Sequence, residues 1–148
     1  MAEPATAQEI TITRVYDAPR ELVWRAWTDP DRLSQWWGPA GWSTPRENVT
    51  MDVRPGGRFY VNSISDEGVE MAVEGSYREV VEPERLVLEE AAETNWHDGS
   101  VSVVTLTDLG DGRTELVLRA TIHTSAEGAS DAEAGMNSTL DRLAGHLS

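Results

Sequence analysis

Few side chains in this sequence that can ionise, attack or ligate stand in workable arrangements. The three histidines, His97, His123 and His146, lie far apart, with no i, i+4 pairing and no His-x-Glu pattern, so no metal site is expected. The chain has no cysteine, which removes thiolate nucleophiles, disulfides and zinc sites built on sulfur. There is no Gly-x-Ser-x-Gly, and no serine or threonine is placed beside a histidine by a known motif, so a hydrolase is not expected. Gly56-Gly57 follows a proline between two strand-like runs and precedes no helix. It reads as a hairpin turn rather than a phosphate loop, and no cofactor is implied.

The charged residues give a shorter list. Glu70 and Glu74 share one face of a strand and could in principle divide acid and base work, but Met71 and Val73 claim the inner face, so both glutamates should face solvent unless Gly75 marks a bulge. Glu90 shares the parity of Leu86 and Leu88 and is the better inward acid. Arg14 shares the parity of Ile10, Ile12 and Tyr16, and an arginine on a core face must find an acceptor. A structural ion pair is the preferred reading over a pocket arginine that orients a ligand, with Glu90 as a partner in either case. Five of the six tryptophans fall between Trp24 and Trp42. Most of them should pack core, leaving Trp37 and the sixth, Trp96, as the rings expected to touch a ligand.

Composition bounds what these residues can serve. A net charge of −14, with 12 arginines, no lysine and no basic cluster, repels phosphate backbones and argues against nucleic acid. The all-arginine bias fits a GC-rich bacterial genome. No apolar run approaches the roughly 18 residues of a membrane span. Met1 to Gln8 shows no secretory pattern, so a cytoplasmic protein is expected, with 1–8 flexible and 9–148 forming one domain.

The elements that position the site follow from periodicity. Strict alternation predicts a first strand over Glu9 to Tyr16. Asp17 with Pro19, then Asp29 with Pro30, predict two short helices, the first over Pro19 to Trp27 and the second carrying Leu33, Trp36 and Trp37 to the stop at Gly38-Pro39. Six further strands, near 46–53, 57–65, 69–81, 85–92, 100–108 and 113–123, are separated by turn signals such as Asp66-Glu67-Gly68 and Gly110-Asp111-Gly112. Val69, Met71 and Val73 should point inward, as should Phe59, Val61 and Leu118. Ala129, Ala132, Met136, Leu140, Leu143 and Leu147 then line one face of a long amphipathic helix, capped by Thr124 with Glu127 or by Ser130 with Glu133. The result is an α+β domain in which a curved, seven-stranded, mostly antiparallel sheet has one long helix to cover it. That helix cannot fill the whole apolar face, and an internal cavity follows.

Several strings make this sequence similar to a known family: Ile12-Thr13-Arg14, Asp17-Ala18-Pro19, Trp27-Thr28-Asp29-Pro30, Trp36-Trp37-Gly38-Pro39, Pro55-Gly56-Gly57-Arg58-Phe59, Gly75-Ser76-Tyr77, Pro83-Glu84-Arg85-Leu86 and Leu140-Asp141-Arg142-Leu143. Together they resemble the bacterial START-like (SRPBCC) proteins grouped with the activator of the heat-shock-protein-90 ATPase, over residues 9 to 147. The resemblance implies the helix-grip fold, also called START-like or birch-pollen-allergen-like, with a pocket between sheet and C-terminal helix. It leaves function broad, since the superfamily includes lipid carriers, polyketide cyclases and aromatases, hormone receptors and co-chaperone domains. Many relatives carry Gly-Trp where this chain has Gly135-Met136, which suggests a roomier pocket wall.

The leading expectation is a binding module for a hydrophobic or aromatic small molecule, a lipid or polyketide-like metabolite. Its pocket would be lined by Trp37, Phe59, Val61, Met71, Val73, Tyr77, Trp96, Leu118, Met136 and Leu140, with Arg14 and Glu90 as polar candidates. A cyclase or aromatase would need Arg14, Tyr77 or Glu90 to polarise carbonyls, without metal or cofactor. A co-chaperone role is the third reading. A chaperone partner is not expected, and a homodimer through an exposed sheet or helix face stays open.

Overall fold

The structure is a computed structural model and describes residues 6–90 and 99–147. Alternation in β1 (Thr6–Tyr16) buries Ile10, Ile12 and Tyr16 and leaves Thr11, Thr13 and Val15 outside. Two short helices follow, α1 (Arg20–Thr28) and α2 (Pro30–Leu33). The Asp29 carboxylate accepts the Asp31 N–H at 3.0 Å, which is the cap that starts α2. Asp17 plays no such part, because Pro19 itself occupies the N-cap of α1 without a side-chain hydrogen bond. Trp24, Trp27, Leu33 and Trp36 are buried, and Trp36 Nε1 donates to the Ala26 carbonyl at 3.0 Å, tying the second segment to the first.

The remaining strands are β2 (Trp42–Ser43), β3 (Val49–Met51), β4 (Arg58–Ser65), β5 (Glu70–Val81), β6 (Arg85–Glu90), β7 (Ser100–Asp108) and β8 (Thr114–Thr124). They form one antiparallel sheet in the order β1-β8-β7-β6-β5-β4-β2, with β3 also paired to β4. Two neighbouring pairs are out of chain order: β2 lies beside β4, and β1 lies beside β8, pairing from Thr6↔Thr124 to Tyr16↔Thr114. The long helix α3 (Ala126–Leu147) lies across the concave face and buries Leu140 and Leu143. The Tyr16 hydroxyl reaches it, donating to the Leu140 carbonyl at 3.0 Å, and burial pushes the Tyr16 pKa up. This is the α+β helix-grip architecture.

Several local expectations differ from what is seen. Thr6 to Gln8 belong to β1 rather than to a flexible tail, because backbone pairing with 122–124 orders them whatever their side chains. The strand expected over 46–53 shrinks to β3, since Arg46–Asn48 closes a 3-10 turn in which the Asn48 N–H meets the Pro45 carbonyl at 2.9 Å. Val69 is 54% exposed at the tip of the β4–β5 hairpin, where its N–H is held by Ser65 Oγ at 3.0 Å, so it does not face the core. The cap of α3 is Ser125, whose hydroxyl accepts the Gly128 N–H at 3.0 Å, not Thr124 or Ser130. The register shift in β5 falls between Tyr77 and Glu79, beyond Gly75.

Candidate functional site

Between the concave face of the sheet and α3 lies a cavity of about 470 Å³. Its floor comes from alternate residues of neighbouring strands: Phe59 on β4; Met71, Val73 and Gly75 on β5; Leu88 and Glu90 on β6; Ser100, Ser102 and Val104 on β7; and Leu118, Ile122 and Thr124 on β8. Gly128, Asp131, Ala132, Gly135, Met136, Thr139 and Leu140 of α3 form the roof. Trp27, Trp37, Gly38, Pro39 and Trp42 close one side. The walls are predominantly apolar, as expected of a small-molecule site.

The aromatic side is held in place by a chain of ring contacts. Trp37 meets Trp27 at 6.2 Å, Trp36 at 5.8 Å and Phe59 at 5.5 Å between centroids, and Phe59 meets Tyr77 edge-on at 6.0 Å. The loop after Trp37 is fixed by two polar anchors. Thr44 Oγ1 donates to the Trp37 carbonyl at 2.9 Å, and the Arg142 Nη1 group reaches the carbonyls of Trp37, Gly38 and Trp42 at 3.2, 2.8 and 3.0 Å. Ser138 of α3 accepts the Ala40 N–H at 2.9 Å. Gly38 turns the chain at φ +95°, a conformation that glycine adopts freely. On the floor, a Cβ on Gly75 would stand 2.1 Å from the Glu89 carbonyl oxygen, so β5 and β6 curl this closely only because residue 75 is glycine.

Among the polar lining groups, Glu90 and Ser100 continue the cross-strand row that runs from Phe59 through Gly75. Glu90 Oε2 accepts from Ser100 Oγ at 2.9 Å, and Ser102, Thr124 and Asp131 also line the cavity. Among the described residues, no lining side chain is an arginine, and no cluster of three His, Asp or Glu could hold a metal ion.

Of the residues nominated from sequence, Trp37, Phe59, Met71, Val73, Leu118, Met136, Leu140 and Glu90 line the cavity. Trp96, with its neighbour His97, lies outside the described residues. Val61 is fully buried in the core and does not reach the lining. Tyr77 is also absent from the lining. Its hydroxyl is buried without a hydrogen-bond partner, and burial, with the charge of Asp52 adding to it, raises its pKa and keeps it a neutral phenol. Arg14 faces α3 rather than the cavity. It pairs with Asp141 at 2.5 Å and donates to Asn137 Oδ1 at 2.9 Å, so its partner is not Glu90. Glu74 pairs with Arg58 at 3.0 Å, and Glu70 accepts from Asn62 at 2.7 Å, both away from the lining. Trp27, Trp42, Ser100, Ser102 and Asp131 were missed. Only the serines carried a usable signal, since they share the parity of Val104 and Leu106.

Residues 17–148 match the family described as Activator of Hsp90 ATPase homolog 1-like protein. The chain belongs to this family. Several solved structures superpose on this fold. A protein from Chromobacterium violaceum is 27% identical, with 94% of this chain and 96% of that one covered and a TM-score of 0.83. An AHSA1 protein from Silicibacter pomeroyi is 22% identical, with 95% and 97% covered and a TM-score of 0.83. CalU16 from Micromonospora echinospora is 27% identical, with 96% and 77% covered and a TM-score of 0.73. A search of the curated proteins found no match. Among the described residues, no helix of this family member is long and apolar enough to cross a membrane.

Proposed function

We propose that this protein binds a hydrophobic or aromatic small molecule, lipid-like or polyketide-like, in the cavity between the sheet and α3. The observation that carries the reading is the cavity itself: about 470 Å³ of space walled mainly by Trp27, Trp37, Phe59, Leu118, Met136 and Leu140. Pockets of this size and character take up drug-sized ligands. Burying a ligand's apolar surface contributes about 25 cal/mol per Å² before ordering costs, enough for micromolar affinity. Binding without chemistry is preferred over a cyclase or aromatase, because of the three polar groups such an enzyme would draw on, Arg14 and Tyr77 are engaged or buried elsewhere and Glu90 alone lines the cavity.

The test is a titration of intrinsic tryptophan fluorescence, paired with thermal shift, against fatty alcohols and acids, sterols, flavonoids and aromatic polyketides. Trp27, Trp37 and Trp42 border the cavity, so a bound ring or chain changes their emission. Saturable quenching with a matching rise in Tm is expected for at least one class. A well-folded protein that responds to no class would overturn the reading and bring a partner-protein role forward.

A further inference from the structure

We propose that Ser102 is the hydrogen-bonding anchor of the cavity and that its ligands carry a neutral oxygen, as a ketone or a hydroxyl, on an otherwise apolar body. The inference rests on the binding function proposed above and names the ligand class for that same site. Ser102 sits on the inner face of β7, between Leu88 of β6 and Ala120 of β8, with Val104 two residues further along its own strand. It is the polar member of that apolar group, and it lines the cavity.

The other hydroxyls of the lining differ from it. Ser100 Oγ donates to Glu90 at 2.9 Å, and Thr139 Oγ1 donates to the Gly135 carbonyl of its own helix at 2.9 Å. Thr124 packs against the first turn of α3, where a Cβ on Gly128 would stand 2.3 Å from its Oγ1. Ser102 Oγ has no hydrogen-bond partner among the described residues and is not a closed-off atom, so it opens onto the cavity. The indole Nε1 of Trp27 also lacks a partner, but it is fully buried and does not open onto the space. Backbone groups cannot stand in for the Ser102 hydroxyl, because β7 is paired on both sides along this stretch.

A hydroxyl that opens onto a cavity is hydrated until a ligand displaces the water. A hydrocarbon that takes that place leaves the hydroxyl unpaired, at the cost of its desolvation. A ketone accepts from Ser102 Oγ, and an alcohol either donates to it or accepts from it, so both restore the lost bond. The apolar remainder meets the same rings and alkyl groups in each case. β4 and β7 are three strand spacings apart, about 14 Å along the sheet. An elongated ligand, such as a substituted biphenyl, therefore touches Phe59 with its ring and Ser102 with its oxygen.

The test uses three biphenyls of one shape: 4-acetylbiphenyl, 4-(1-hydroxyethyl)biphenyl and 4-ethylbiphenyl, the last lacking the oxygen. Equilibrium dialysis gives their affinities for wild type, Ser102→Ala and Ser102→Thr. Comparing each probe between proteins cancels its own cost of leaving water. In Ser102→Ala, the ketone-over-hydrocarbon and alcohol-over-hydrocarbon affinity ratios should fall by about three- to tenfold, the worth of one net hydrogen bond. Ser102→Thr keeps the hydroxyl and should hold both ratios closer to wild type than Ser102→Ala does. Ratios that do not fall in Ser102→Ala, or that fall as far in Ser102→Thr, would overturn the inference and leave the binding function standing. A folded wild-type protein that binds none of the three would overturn both.

Discussion

Met136 projects from α3 into the cavity, and enlarging it separates a real void from a packed core by the sign of the stability change. Met136→Trp places a large ring where the structure has about 470 Å³ of space. The ring adds roughly 60 Å² of buried apolar surface, worth about 1.5 kcal/mol at 25 cal/mol per Å². In a close-packed interior the same enlargement costs about 1–3 kcal/mol in strain. Leu143 supplies the contrast, being two turns further along α3, fully buried and outside the lining, so Leu143→Trp should pay that cost. Urea unfolding with an unchanged m-value measures both. The expected result is a Met136→Trp protein equal to or more stable than wild type, with ligand response lost, beside a clearly destabilised Leu143→Trp. At this chain length, each kcal/mol corresponds to about 2–4 °C in Tm. If Met136→Trp were destabilised as much as Leu143→Trp, the space under α3 would not exist in solution, and the reasoning from cavity to function would fail.

Gly75→Ala should destabilise by more than about 2 kcal/mol, since a Cβ at 2.1 Å from a backbone oxygen forces β5 and β6 apart, and thermal denaturation reads this directly. Arg142→Met should cost about 3–6 kcal/mol, the worth of two charge-assisted hydrogen bonds, and should speed ligand dissociation in stopped-flow fluorescence by loosening the loop that carries Trp37 and Trp42. Burial, aided by the charge of Arg32, lowers the His146 pKa from 6.5. The unfolded chain therefore binds more protons just below pH 6.5, and stability present above that value is lost as pH falls through the lowered folded pKa. His146→Gln removes this loss, so the Tm gap between variant and wild type should widen in the variant's favour from pH 7 to pH 5. A gap independent of pH would refute the assignment.

How much of this was legible in the sequence differs by element. The strands whose alternation is strict, such as β8 with Leu116, Leu118, Ala120 and Ile122, were readable because one buried face imposes period two. The cavity floor followed from them, as Met71, Val73, Leu118 and Glu90 show. What parity cannot tell is how far along an inward face the cavity extends. Val61 and Phe59 share a face of β4, yet only Phe59 reaches the space, while Val61 is fully buried in the core. Arg14 was correctly placed on the inner side of β1, but its partner lies 127 positions away on α3, a distance that local pattern does not encode. Trp42 escaped notice because its two-residue strand has no periodicity to read. The clamp at Arg142 depends on backbone carbonyls, which leave no trace in side-chain chemistry.

The most direct test of the central claim is methyl NMR of the protein with dodecan-1-ol. Intermolecular contacts from the alkyl chain should appear at the methyl groups of Met71, Val73, Leu118 and Met136 and be absent at Val61 and Leu143. Contacts confined to outer-face methyl groups such as Val15, or no contacts at saturating alcohol, would contradict a ligand cavity under α3.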